Sequence, residues 1–369
     1  MVAFQDANAL LAGLRRWVEI DTPTGDAAGM DRLQDLIECD FQELGGHCKR
    51  IPGRDGLGGH LKVDFDGGPL APILIVAHLD TVCQPGYVQI QRDGDRFFGP
   101  GAADMKGGGY LAYAAIAQII KQVGKLPRPV TLIFNGDEEI GSPTSRDLIC
   151  EQAREFRYSL VPEPARDDEV ITFRKGRAKY LISAYGRAAH AGSAFADGRN
   201  AIVELARHLL ELNGFSNPAT GTTVNVGTFQ GGIEANVVAA SAQAWVDVRF
   251  EDNAEGQHID RAIRCLVPSD GDYKLQIEGE IEKPCLNSDK GPGSLFAKAR
   301  EIARGIGIDL LATRSGGGSD GNFTSSVGTP TLDGLGVIGN EWHSPREHIL
   351  ISALPRREAL LRQLLLQLD

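Results

Sequence analysis

Residues Pro72–Asp80 read "PILIVAHLD". From Ile73 to Val76 the run is aliphatic without a break, and His78 and Asp80 follow it. A strand with one wet face alternates apolar and polar residues. An unbroken run instead fits a strand covered on both faces, as in a parallel sheet. Working outward, "HLKVDF" (60–65), "VTLIFN" (130–135) and "YSLVPEP" (158–164) also read as strands. "MKGGGYLAYAAIAQIIKQVG" (105–124) reads as a helix despite its three early glycines. Between Met30 and Leu44, Leu33, Leu36, Ile37, Phe41 and Leu44 recur at helical spacing, and a glycine pair closes the segment. Strands alternating with helices predict an α/β domain with a mostly parallel sheet.

The pattern changes near Gly176. "KYLISAYG" reads as a strand, "AIVELARHLLEL" as a helix, and "TTVNVGTF" and "VVAASAQAWVDVRF" as strands. "GQHIDRAIRCLV" then reads as a helix and "YKLQIEGEI" as a strand. This β-α-β-β-α-β order is that of a ferredoxin-like α+β module. After Pro284 the earlier pattern resumes: "LFAKAREIARGIG" as a helix, "DLLATR" and "TPTLDGLG" as strands, and a final helix from Leu354. The expected organisation is one α/β domain in two pieces, 1–175 and 287–369, with 176–286 inserted.

The bulk composition agrees with a globular chain of two domains: 369 residues, 42% apolar and 24% charged. A net charge of -11 argues against a nucleic-acid surface, which needs clustered Lys and Arg. No stretch has the length of a membrane span, and the start carries Asp6, Glu19 and Asp21 among its apolar residues, unlike a signal peptide. Cys39, Cys48, Cys83, Cys150, Cys265 and Cys285 form no CxxC pair. Free thiols and a cytoplasmic location are expected.

Several polar residues fall at or near the ends of the predicted elements. His78 and Asp80 close one strand, and a carboxylate beside a histidine is a common way to orient a metal ligand. Asp104 lies in the glycine-dense "FGPGAADMKGGG", Glu138 and Glu139 follow "TLIFNG", Glu163 sits in "VPEP", and His343 in "EWHSPREHI". Each alone has an ordinary structural reading: a capped histidine, an N-cap aspartate, a solvated acidic turn, a stiff turn, a structural histidine. Together, two histidines and three carboxylates at the carboxyl ends of strands are the nitrogen and oxygen donors that suit zinc. A shared carboxylate would suit a two-metal hydrolase. If adjacent residues of an extended segment point to opposite faces, Glu139 can bind metal while Glu138 faces the attacking water.

These segments resemble the zinc-dependent acylamino-acid hydrolases: acetylornithine deacetylase, succinyl-diaminopimelate desuccinylase, aminoacylase and bacterial glutamate carboxypeptidase. "AHLDTV", "GPGAADMKGG", "FNGDEEIGS", "EP", "GRAAHAG", "DVRF", "RSGGGSDG" and "WHS" occur in that family's order across nearly the whole chain, with the greatest likeness to glutamate carboxypeptidases. The resemblance implies a zinc-exopeptidase catalytic domain with an inserted lid and dimerisation domain. It implies two Zn2+ per subunit, with Co2+ or Mn2+ as alternatives. His78 and Glu163 would hold one ion, Glu139 and His343 the other, and Asp104 would bridge them. Asp80 would orient His78, Glu138 would be the general acid/base, and His190 would stabilise the oxyanion in a neighbouring subunit's site. Asn236, Arg249 and Gly318 would hold the substrate, an acylamino acid or peptide. Outside the resemblance, His190 could be a surface-loop histidine, Asn236 a turn residue, and Arg249 the partner of Asp247. The function implied is cleavage of an amide on an amino acid with a free carboxylate, as in a glutamate carboxypeptidase. The alternatives are an N-acyl-amino-acid deacylase or dipeptidase of the same chemistry and, more remotely, a non-catalytic binding protein.

Overall fold

The computed structural model describes residues 4–288, 291 and 293–369, which divide into two compact units. The first comprises Met1–Phe173, Leu286–Ser315 and Ser319–Asp369. Its principal sheet has the spatial order His47–Ile51, His60–Phe65, Val130–Asn135, Ile73–His78, Tyr158–Leu160, Thr331–Leu332. Every residue of Ile73–His78 is buried, as its unbroken apolar run requires. This strand pairs in parallel with both Val130–Asn135 and Tyr158–Leu160, and Thr331–Leu332 continues the parallel part. The sheet is mixed, because His60–Phe65 pairs antiparallel with Val130–Asn135 and with His47–Ile51. An antiparallel neighbour needs only a short connection, whereas a parallel one needs a crossover. Only eight residues, 52–59, connect the first two strands, which form a hairpin-like edge. The expected strand "TPTLDGLG" is shorter than predicted: pairing stops after Leu332, and Gly334 turns the chain at φ 70°.

Parallel pairing aligns strand ends. His78 lies opposite Asn135 in the register, so the segments after both residues leave the sheet at the same edge. Tyr158–Leu160 runs the same way and leads to Glu163. A second, antiparallel sheet of Gly339–Asn340, His348–Leu350, Arg96–Phe98 and Gln91–Asp93 brings the distant His343 segment beside the loop that carries Asp104.

The core beneath this edge is aromatic. The helix Ala7–Val18, capped by the Asp6 side chain on the Ala9 N–H, buries Leu10, Leu11, Leu14, Trp17 and Val18. It is not among the elements read from sequence, although those apolar spacings suit a helix. The Trp17 ring meets Tyr110 edge-on at 5.5 Å and Phe134 at 6.0 Å. Its indole N–H donates to Asp40 at 3.1 Å, which satisfies the one polar atom the ring brings into the core. The helix Lys106–Val123 tolerates its glycines for a packing reason. A Cβ at Gly108 would stand 1.7 Å from the carbonyl oxygen of Pro162. Only a bare backbone lets this helix approach the Glu163 loop.

The second unit comprises Arg174–Cys285 and Gly316–Gly318. Its elements run β-α-β-β-α-β: Gly176–Tyr185, Ala201–Asn213, Thr223–Gly231, Ser241–Phe250, Asn253–Arg264 and Lys274–Lys283. The four strands form one antiparallel sheet in the order Thr223–Gly231, Ser241–Phe250, Gly176–Tyr185, Lys274–Lys283. Burial alternates along Ser241–Phe250, so Ala242, Ala244, Val246, Val248 and Phe250 form the inward face. That strand begins four residues later than its apolar run suggested, because the Val238 N–H instead reaches the Ala189 carbonyl.

Trp17→Ala is expected to lower stability by about 3–5 kcal/mol, since it leaves a cavity in a fully buried cluster and an unpaired Asp40 acceptor. A fall in the urea midpoint of the first unit's transition checks this. Trp17→Phe should cost less.

Candidate metal centre

His78 is 1% exposed at the end of its strand. Its Nδ1 lies 2.9 Å from the Asp80 carbonyl oxygen and 3.4 Å from Asp80 Oδ1. The ring therefore presents Nε2, which lies 3.1 Å from Asp104 Oδ1 and 3.9 Å from Glu163 Oε1. His343 Nε2 lies 3.2 Å from Asp104 Oδ2 and 3.2 Å from Glu139 Oε2. Asp104 thus turns one oxygen to each histidine, and each histidine also meets a second carboxylate. These contacts link all five sequence-predicted ligands. His78, Asp104 and Glu139 can each offer one ligand atom within 4.8 Å of the others.

The two adjacent glutamates do not lie on an extended segment, contrary to expectation. The strand ends at Asn135, and Glu138–Ile140 forms one 3₁₀ turn, in which successive side chains diverge by about 120° rather than alternating. Asp80 holds that turn. Its Oδ1 accepts the Glu138 N–H at 3.1 Å, and its Oδ2 accepts the Glu139 N–H at 3.2 Å and the Thr24 hydroxyl at 2.8 Å. Asp80 therefore serves His78 and both glutamates together. Behind the turn, Asp137 accepts the N–H groups of Thr144 and Ser145 and both their hydroxyls. Asp320 accepts from the Asn135 amide at 2.9 Å and from the Ser142 hydroxyl at 2.5 Å. Asp137, Asp320 and Thr24 escaped the sequence reading. Asp137 and Asp320 do fall inside "GDEEIGS" and "GGGSDG", where a small polar residue beside glycine signals a local turn.

The charges explain what the cluster attracts. Hydrogen bonds to Asp104 and Glu139 push the His343 imidazole up to about 10. Burial alone would lower His78, but its bonds to Asp104 and Asp80 push it well above the ordinary range. Burial likewise would raise Asp104, yet the His343 and His78 bonds hold it far below the usual carboxylate range. Burial raises Glu139, and the His343 bond offsets this only in part. Glu139 Oε1 is buried with no hydrogen-bond partner among the described residues. An orphaned carboxylate oxygen, further carboxylates and two imidazoles that ligate once they give up a proton form a set of donors that fits divalent cations.

The other predicted site residues lie on the second unit. His190 is exposed, and its Nδ1 accepts the N–H groups of Gly192 and Ser193 at 3.1 and 3.2 Å. Asn236 is its neighbour, through the Ala191 N–H on the Asn236 carbonyl. Arg249 pairs with Asp247 at 2.8 Å and also donates to the Gly316 carbonyl at 3.3 Å, in the loop that holds Gly318. The Asp247 pairing considered from sequence therefore forms.

Residues 74–367 match the model of peptidase family M20/M25/M40. The chain belongs to this family. It is 31% identical to carboxypeptidase G2 of Pseudomonas sp. (strain RS-16), over all of this chain and 92% of that protein. It is 26% identical to succinyl-diaminopimelate desuccinylase of Roseobacter denitrificans, over 98% of each. In fold it is similar to the aminopeptidase PepT of Bacillus cereus, with TM-score 0.79 and 21% identity over 98% of each chain. It is also similar to an M20 family metallo-carboxypeptidase of Sulfolobus solfataricus, with TM-score 0.76 and 17% identity over 96% of this chain and 98% of that one. Members of the M20 family are metal-dependent peptidases and amidohydrolases, and this chain is one of them. Among the described residues, no helix is long and apolar enough to cross a membrane.

Metal uptake should release protons. At pH 8 His343 lies below its value of about 10 and is protonated in the metal-free protein, while a ligating imidazole must be neutral. Adding zinc to metal-free protein in weak buffer at pH 8 is expected to acidify the solution by at least about one proton per chain. Apparent metal affinity should fall as pH falls. A pH-indicator titration checks both, and His343→Ala should reduce the release.

Proposed function

We propose that this protein is a di-zinc carboxypeptidase that releases a carboxyl-terminal amino acid, glutamate first among the candidates, from an N-acyl or peptidyl substrate. Co2+ or Mn2+ are the alternative ions. The observation that carries this reading is the division of Asp104 between two histidine–carboxylate pairs, His78 with Glu163 and His343 with Glu139. Cations held there would supply Lewis acidity toward the scissile carbonyl and acidify water.

The remaining work falls to the chain's own groups. Glu138 is buried, and its backbone N–H is pinned to Asp80 beside Glu139. That placement supports a general base which takes a proton from the attacking water and returns it to the leaving amine. Because His190 accepts two N–H bonds at Nδ1, its own proton resides on Nε2. That tautomer suits donation to an oxyanion. Arg249 retains its planar fork beside the Gly316–Gly318 loop, which supports recognition of the substrate carboxylate with Asn236 and Gly318.

We assign lid and dimerisation roles to the second unit. Its edge strand Thr223–Gly231 exposes Phe229, and Ile233, Leu210 and Val203 are 84%, 76% and 56% exposed. An unpaired edge with exposed apolar residues favours pairing with another copy. Light scattering should give twice the 39.6 kDa chain mass, and Phe229→Glu should shift it toward the monomer. The six cysteines are free, which supports a cytoplasmic location.

A deacylase reading is the competitor, favoured by the full-length similarity to the desuccinylase. Amine release from a panel of N-acyl amino acids and dipeptides, with zinc supplied, separates the two. Preferential glutamate release from acyl-glutamates supports the carboxypeptidase, and another amine moves the assignment to a deacylase or dipeptidase. Glu138→Gln is expected to lower kcat by roughly 10²–10⁴-fold with metal content kept. Unchanged turnover would remove Glu138 from the mechanism.

A further inference from the structure

Four residues beyond His343 the chain places a carboxylate that none of the roles above uses. Glu347 is 1% exposed. Its Oε1 accepts the N–H groups of Ala103 at 2.9 Å and Asp104 at 3.1 Å, and its Oε2 accepts that of Gly101 at 3.3 Å. The Cys83 thiol lies 3.9 Å from Oε2. Glu347 immediately precedes the strand His348–Leu350, whose pairing of His348 with Phe98 sets the two loops side by side. One loop carries Asp104 and the other carries His343. The His343 loop has strain to hold, since Glu341 and His343 both sit in the left-handed region at φ 58° and 63°, where side chains other than glycine's cost energy.

We propose that Glu347 is a positioning residue that fixes the spacing between Asp104 and His343, and thereby the geometry of the metal pocket they share with Glu139. A carboxylate buried this deeply must keep its acceptors satisfied. The partners it finds are three N–H groups of the loop ending at Asp104, so that loop cannot shift relative to 343–347 without breaking these bonds and leaving a buried acceptor unsatisfied. The inference rests on the reading of the cluster as a metal centre. Groups that hold metal ligands in place commonly change affinity by about 10–100-fold when removed.

The test uses full-length metal-free protein and cobalt(II) chloride, followed by visible absorption, with hydrogen exchange at residues 101–104 alongside. Glu347→Ala is expected to weaken cobalt binding at least about tenfold, alter the visible band and speed exchange at Gly101, Ala103 and Asp104. Glu347→Gln keeps one carbonyl oxygen for the Ala103 and Asp104 N–H groups and should fall between Glu347→Ala and wild type. Glu358→Ala is the control for simple destabilisation. Glu358 is fully buried against Arg362 in the C-terminal helix, so its loss should lower the melting temperature and leave the cobalt band unchanged. Wild-type affinity and band in Glu347→Ala overturn the proposal. If that variant does not fold, an unchanged band and unchanged exchange in Glu347→Gln do the same. Wild-type protein that takes up no cobalt overturns the metal-centre reading and this proposal with it.

Discussion

Asp104 faces a histidine with each of its two oxygens, and the surrounding structure is arranged to bear the resulting concentration of charge. Three carboxylates meet two imidazoles in a largely buried space. Like charges this close repel, and burial removes the water that would screen them. In the metal-free protein the imidazoles answer by holding protons well above their ordinary range. Cations can replace those protons, and Glu139 Oε1, without a hydrogen-bond partner among the described residues, is available for one of them.

The loops that carry the charged groups are held at their backbone. Asp80 grips the N–H groups of Glu138 and Glu139. Asp137 grips the turn after them, and Glu347 the loop before Lys106. A bond to a backbone N–H fixes where the chain runs and so where its side chains start. A salt bridge between two long side chains would fix far less.

Much of this could be read from the chain because a few rules acted together. An unbroken apolar run marks a strand covered on both faces, parallel strands release their ligands at one edge, and His78, Glu139 and Glu163 each follow such a strand. Asp104 and His343 stood out only as polar residues near the ends of predicted elements, and what brings them together was not legible, since the small antiparallel sheet that does so has strands of only two or three residues. Such strands carry too little periodicity to read. The twist of Glu138 away from Glu139 was also hidden, because it depends on Asp80, 58 residues away, accepting an N–H. The helix Ala7–Val18 carries apolar spacings that suit a helix, and the Arg249–Asp247 pair is one of the alternatives the sequence offers.

The candidate ligands are spread unevenly along the chain. His78, Asp104, Glu139 and Glu163 precede the whole inserted unit, while His343 follows it. During synthesis the four early candidates emerge with one imidazole among three carboxylates, and the second imidazole emerges only after about 180 further residues, roughly ten seconds or more at typical elongation rates. Glu347, which spaces the two loops, emerges later still. The sheet can therefore form before its charges are balanced, and the centre is completed by one of the last segments made.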